Sequence, residues 1–361
     1  MVVAYSYFTF HFRFLDADAR PCHRRRYTGV VGNEGIELKG AMLYYEDIAD
    51  IRWENDQQIV LLLMPYITTG AVVTEHILPN SYALVLDTRE SELSNLKMTL
   101  NKYFTYAKAE RNRRALSLAG KADTFYTKSC PACASTIDLS GLPKTKYIYC
   151  RYCETISSNM GNIIPHTELY RPCPDCQYFG HVQVFRDVQW YFYGKDKRAA
   201  HVHNVTCCDT CAQDTYFKPN VWRNLGYLLA FPFSVYLRLH STLGQHPDFT
   251  LLTEANRLAH SGDPEGAIAL YDHILMQYKY HPGILYNKAR AYVMAADGLS
   301  SNDAKTLHTQ AAEQLSICLQ ACANYQPALD LIYQYEEAAY YDFPIQKVEV
   351  EVHKKSYKDL Q

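Results

Sequence analysis

The sequence predicts a multidomain α+β protein stapled at its centre by metal. Three observations carry that expectation. The first 120 residues alternate apolar and polar side chains in short runs and then turn helical. Residues 130–211 hold four Cys-x-x-Cys pairs. Residues 248–341 carry a helical pattern with small residues at fixed spacing. At 361 residues the chain has room for two or three domains, and 48% hydrophobic against 20% charged residues is the balance of a folded protein.

In the first region, Phe8, Phe10, Phe12 and Phe14 alternate with Thr9, His11 and Arg13, a period-2 strand with one buried face. A polar loop over 16–26 follows. Runs 27–31 and 35–38 flank Gly32-Asn33-Glu34, a hairpin signal. Further strands are expected at 43–45, 48–53, 59–64 and 82–86. From Glu90 to about Leu118 the period becomes helical, with Leu93, Leu96, Leu100 and Phe104 on one face. Many short strands closed by one long helix resemble a pleckstrin-homology-like barrel over residues 1–120. The passage Leu43-Tyr44-Tyr45-Glu46-Asp47-Ile48-Ala49-Asp50-Ile51 is similar to the bacterial versions. That resemblance implies an anionic ligand, a lipid head group or a phosphorylated partner, at the basic loop Arg24, Arg25, Arg26. The other reading is a solvated loop that keeps an edge strand soluble. Cys22 is a lone thiol with no partner motif.

Eight of the 12 cysteines sit in the four pairs. The first N-terminal residues have no basic start and an interrupted apolar run, so no export signal is expected, and the pairs read as metal ligands rather than disulfides. Cys130 and Cys133 are followed after sixteen residues by Cys150 and Cys153; Cys173 and Cys176 are followed after thirty-one by Cys208 and Cys211. Each pair places two thiolates on one side of a tight loop, and two pairs complete a tetrahedral Zn–S set. The two units, 129–157 and 171–218, resemble zinc ribbons, which implies two structural Zn2+. Four thiolates leave no open position for water, so no catalytic role is expected of them. The second spacer reads as an extended hairpin turning at Gly194-Lys195-Asp196-Lys197. Cys207 neighbours Cys208 and is the alternative fourth ligand. His201 and His203 alternate along one strand, as a separate metal pair or as ordinary exposed side chains. Trp190-Tyr191-Phe192-Tyr193 beside Lys195, Lys197 and Arg198 is either a base-stacking surface or a packing face. Residues 121–222 carry 11 basic and 9 acidic side chains, too even a balance for a dedicated nucleic-acid binder.

Residues 221–240 form an apolar connector. Fourteen uncharged residues separate Arg223 from Arg238. As a helix they reach about 21 Å, short of the about 30 Å of a bilayer core, and Pro232 would kink them. The connector is either a buried linker or a shallow membrane contact with Trp222 at the interface.

In 248–341, Leu251, Ala255 and Leu258 precede a Gly262-Asp263-Pro264 turn, then Ala267, Tyr271, Ile274 and Leu275. A second copy begins after His281-Pro282 with Leu285, Ala289 and Tyr292, is delayed near 298–308, and resumes with Ala311, Leu315 and Cys318. A capping helix is expected over 328–339. This resembles tetratricopeptide repeats, departing at Glu254, Lys288 and the insert. The resemblance implies a groove lined by Asn256, Asn287 and Arg290 that takes a protein or peptide partner. Cys318 and Cys322, one helical turn apart, read as an edge of a metal site or as small core residues. The tail, 342–361, is an alternating stretch followed by a lysine-rich end.

No P-loop, Gly-rich dinucleotide turn, nucleophile elbow or HExxH is present, so neither an enzyme nor a small-molecule substrate is expected. The expected function is a cytoplasmic zinc-binding scaffold that meets a protein partner. The alternatives are a peripheral module at the inner membrane surface, using Arg24–Arg26 and the connector, and a nucleic-acid adaptor using the ribbons.

Overall fold

A computed structural model describes residues 7–54, 58–65, 71–78, 81–159, 170–193, 197–217, 249–297, 299 and 301–337. The connector 221–240, the turn residues 194–196 and the tail 342–361 lie outside the described residues. The chain divides into two compact units, Met1–Gly141 and Leu142–Gln361. Among the described residues no helix is long and apolar enough to cross a membrane.

The first unit is built on one seven-stranded antiparallel sheet. Its strands are β1 (Phe8–Phe14), β2 (Tyr27–Val31), β3 (Gly35–Leu38), β4 (Ala41–Tyr44), β5 (Ile48–Glu54), β6 (Gln58–Leu63) and β7 (Ala83–Thr88), in the order β4-β3-β2-β1-β7-β6-β5. A short helix, α1 (Ala71–Thr74), precedes β7, and α2 (Glu90–Leu118) follows it. The period-2 reading of β1 holds, since Phe10, Phe12 and Phe14 are all buried in the core. On α2, Leu96, Leu100 and Phe104 face the same core, the i, i+4 spacing that makes one helical stripe.

The expected barrel does not close. The two outer strands, β4 and β5, do not pair with each other; their connection is covered by α2 instead. Arg111 donates to the carbonyls of Glu46 (3.2 Å) and Ile48 (3.3 Å), Arg114 pairs with Glu46 (2.9 Å), and Lys108 lies 3.7 Å from Asp50. Main-chain acceptors at that corner are thus satisfied by a helix rather than by a strand. The unit ends in a small hairpin, β8 (Thr127–Ser129) and β9 (Thr136–Asp138), held to α2 by Thr136 N–H donating to Thr105 Oγ1 (2.8 Å) and Asn112 donating to Asp138 (2.6 Å).

The second unit joins two β pieces to a helical array. β10 (Tyr147–Cys150) and β11 (Thr155–Ser158) form a hairpin. β12 (Tyr170–Pro172), β13 (Phe179–Tyr193) and β14 (Lys197–Cys208) form a three-stranded sheet, β13 and β14 pairing from Val182↔Cys208 out to Tyr193↔Lys197. A single turn, α3 (Asp209–Cys211), caps β14. The helices are α4 (Thr250–Ser261), α5 (Pro264–Gln277), α6 (Pro282–Ala296), α7 (Ser301–Ala321) and α8 (Gln326–Glu337). Gly262 ends α4 at φ +84°, a conformation an L side chain resists, and Asp263 then caps α5 by accepting from Gly266 N–H (2.9 Å), with Pro264 at the first helical position. The delay expected near 298–308 is largely absorbed, because α7 starts at Ser301 and runs through it as helix. Ala255, Ala267, Ala289, Ala311 and Ala328 are fully buried, the small residues at which paired helices approach.

Candidate metal centres

The chain reverses the same way in three of the four cysteine pairs. The residue after the second cysteine, Ala134, Glu154 or Gln177, takes a left-handed φ of 58°, 59° or 64°. Its N–H donates to the carbonyl of the first cysteine: Ala134 to Cys130 (2.9 Å), Glu154 to Cys150 (2.6 Å) and Gln177 to Cys173 (2.8 Å). This curl puts both sulfurs of a pair on its concave side. The fourth pair is built differently. Cys208 is the N-cap of α3, and its sulfur accepts from Cys211 N–H at 3.5 Å.

The sulfurs converge as the spacing predicts. Cys130, Cys133, Cys150 and Cys153 form one cluster and Cys173, Cys176, Cys208 and Cys211 the other, with all sulfurs of a cluster within 4.8 Å of one another. None is in a disulfide. In the second cluster Cys173 and Cys211 are 4.0 Å apart, and Cys176 and Cys208 3.7 Å. A tetrahedral ion with Zn–S bonds of about 2.3 Å needs S···S edges of about 3.8 Å, so the donor set fits a metal of that size and softness. Backbone N–H groups already point at these sulfurs, Cys208 N–H reaching Cys173 Sγ at 3.2 Å. Ser135 and Thr155 hydroxyls lie 3.2 Å from Cys133 and Cys153, the same place in two pairs.

The electrostatics argue the same way. Hydrogen bonds from Cys176, Cys208 and Cys211 hold the Cys173 thiol far below its ordinary value, while the same close sulfurs push Cys208 and Cys211 far up. Four sulfurs this close would repel one another as thiolates, and a bound cation would offset that repulsion. Cys207, the alternative fourth ligand, is fully buried beside the cluster but is not one of its four converging sulfurs; burial pushes its thiol up.

Three residues other than the cysteines meet at the fourth pair. Asp209, between Cys208 and Cys211, lies 3.0 Å from His181 Nδ1 and accepts from Gln183 at 2.9 Å, all three packed in or at the edge of the interior. His181 and Asp209 carry no spacing signal, and the strand register brings them together. His201 and His203 stand in β14 opposite Gln189 and Asp187.

The expected partner-binding residues are placed unexpectedly. Asn256 and Asn287 are buried and spend their amides on this chain's own β13: Phe179 N–H donates to Asn287 (2.7 Å), and Phe179 carbonyl accepts from Asn287 (2.7 Å) and Asn256 (3.1 Å). Arg290 lies over the rings of Tyr178 (4.8 Å) and Tyr286 (5.8 Å) and donates to Tyr286 Oη at 3.2 Å. The groove they were expected to line for a partner is filled, at these positions, from within the unit. Of the basic loop, Arg24 and Arg25 are exposed, whereas Arg26 pairs with Asp87 at 3.0 Å alongside Arg13 (2.8 Å). Cys318 and Cys322 are buried as small core residues, and burial raises both thiols.

Neither a family model, nor a curated protein, nor a solved structure matches this chain.

Proposed function

We propose that the chain is a non-enzymatic scaffold of the cytoplasm whose central part, residues 130–211, is organised by two structural Zn2+ ions and whose tetratricopeptide-like helices carry the surface for a protein partner. The observation that carries this reading is the pair of four-cysteine clusters. A thiolate-saturated ion has no open position, so its role is to fold the chain around it rather than to activate water. Free thiols throughout the described cysteines support a reducing compartment. With Asn256, Asn287 and Arg290 engaged inside the unit, partner contact falls to side chains the array leaves outside, such as Met276 near the end of α5 and Tyr280 in the turn after it (67% and 55% exposed).

The test is elemental analysis of purified full-length protein together with capture of its partner. Two equivalents of zinc per chain, and loss of a captured partner in Met276→Asp/Tyr280→Asp with zinc retained, are the expected results. Absence of zinc, or a partner set indifferent to both substitutions, overturns the reading.

A further inference from the structure

Each cysteine cluster presents one strand residue to the helices through its main chain. For the second cluster it is Phe179, three residues after Cys176. Across the sheet Phe179 faces Pro172, which has no N–H to offer. Asn287 of α6 takes both the N–H and the carbonyl of Phe179, at 2.7 Å each. Its amide also donates to Asn256 Oδ1 (3.0 Å), which accepts from Tyr271 Oη (2.8 Å) as well, while Asn256 donates to the Phe179 carbonyl. These polar groups are buried and each has a partner, the condition under which a buried network is favourable.

For the first cluster the residue is Tyr149, immediately before Cys150. Asn324, in the turn between α7 and α8, takes both its polar groups: Tyr149 N–H donates to Asn324 Oδ1 (3.0 Å) and Asn324 Nδ2 donates to the Tyr149 carbonyl (2.7 Å). Both residues are aromatic and both rings meet an aromatic of the array, Phe179 against His281 (5.2 Å) and Tyr149 against Tyr325 (5.1 Å). The arrangement therefore occurs twice: one asparagine for the main chain and one aromatic neighbour for the ring. The approach at the first of these also depends on two glycines. A Cβ at Gly283 would overlap the Phe179 ring, and one at Gly180 would stand 3.0 Å from Asn256 Nδ2.

We propose that the helical array is a main-chain receptor for the protein's own two metal knuckles, Asn287 holding the second and Asn324 the first, so that the metal affinity of each centre is set from the helices. The reason is linkage. A knuckle curls around its ion only when its strand is in place, and the asparagine holds that strand; whatever the clamp adds to the loaded state, the ion adds to the clamp. Asn287 and Asn324 are positioning residues, since neither supplies a ligand atom. The inference rests on both clusters holding metal.

The experiment uses the full chain, loaded with cadmium so that NMR resolves the two centres, with assignment from a Cys133→Ser variant. Each centre is titrated with a competing chelator in wild type, Asn287→Ala and Asn324→Ala. A coupling of ordinary size predicts about a tenfold weakening of the second centre alone in Asn287→Ala and of the first alone in Asn324→Ala. General loosening of the helices would weaken both centres in both variants, and that result overturns the proposal. So does wild-type affinity at both centres in both variants. Fewer than two ions on the wild-type chain overturns the metal reading and this inference with it; two ions without the crossed pattern overturns this inference alone.

Discussion

The two units reach a buried core by opposite routes. In the sheet unit, alternating phenylalanines of β1 and the Leu96–Leu100–Phe104 stripe of α2 supply a continuous apolar interior, with the remaining strands completing it. In the second unit the β pieces are short or two-stranded along much of their length. Their interior aromatic residues, Tyr147, Tyr149, Tyr170 and Phe179, are buried together with helical residues such as Ala289 and Leu315 and with Tyr325 of the α7–α8 turn. Elements that small have too little core of their own, and Cys173, Cys176, Cys208 and Cys211, all in this unit, stand where an ion would complete them. The difference predicts where metal at the second cluster matters: its removal is expected to act on the β12–β14 piece and to leave the sheet's phenylalanine core intact.

The sharpest way to break that comparison is Cys208→Ser. Structural zinc contributes on the order of 10 kcal/mol of binding free energy in small metal-folded units, so the β12–β14 piece is expected to lose protection from amide exchange while β1 and α2 keep theirs. Equal loss in both would erase the distinction. The converse variant is Phe104→Ala, at a fully buried position of the sheet unit. It is expected to cost about 3–5 kcal/mol in urea unfolding of that unit and to leave metal content unchanged. Next comes Gly283→Ala, whose added methyl meets the Phe179 ring. About 1–3 kcal/mol of destabilisation, confined to the second unit, is expected from such overpacking.

Acid gives a fourth contrast. His281 is fully buried among Tyr147, Phe179 and Phe249, and burial lowers its pKa to about 3. Among the described residues neither ring nitrogen has a hydrogen-bond partner. The unfolded chain takes up a proton near the ordinary histidine value while the folded one does not. The stability from the neutral ring is therefore complete above about pH 6.5 and falls by roughly 1.4 kcal/mol per unit as pH drops toward the folded value. His281→Phe should flatten this part of the acid slope, read as the difference in urea midpoint between wild type and variant at neutral and mildly acid pH. An unchanged slope means that another group carries it. The smallest effect is at Ala134, which holds φ 58° without being glycine. Ala134→Gly relieves that strain and is expected to raise stability of the first knuckle by about 0.5 kcal/mol, seen as slower metal release.

Local pattern was legible wherever one period or one motif decides the outcome. The strand at Phe8–Phe14, the hairpin around Gly32, the helix Glu90–Leu118 and the turn at Gly262–Pro264 follow from alternation, turn chemistry and capping within a few residues. The two cysteine sets were legible for the same reason, since a tight loop or a single helical turn puts both sulfurs of a Cys-x-x-Cys pair on one side. The insert near 298–308 was misread because a polar helical turn and a loop share a composition. Asn324, His181 and Asp209 carried no signal, being ordinary polar residues whose partners lie 175 or 28 positions away.

The sequence by itself determined the α+β class, the eight converging thiols and the helical character of the last region, all of which depend on neighbours within a few residues. Tertiary structure alone decided that the sheet stays open, because that turns on whether α2 or a strand satisfies the carbonyls of Glu46 and Ile48. It alone decided that Asn256 and Asn287 face inward. An asparagine reads the same in a sequence whether its amide meets a partner or its own chain, and only the register that brings Phe179 to α6 separates the two.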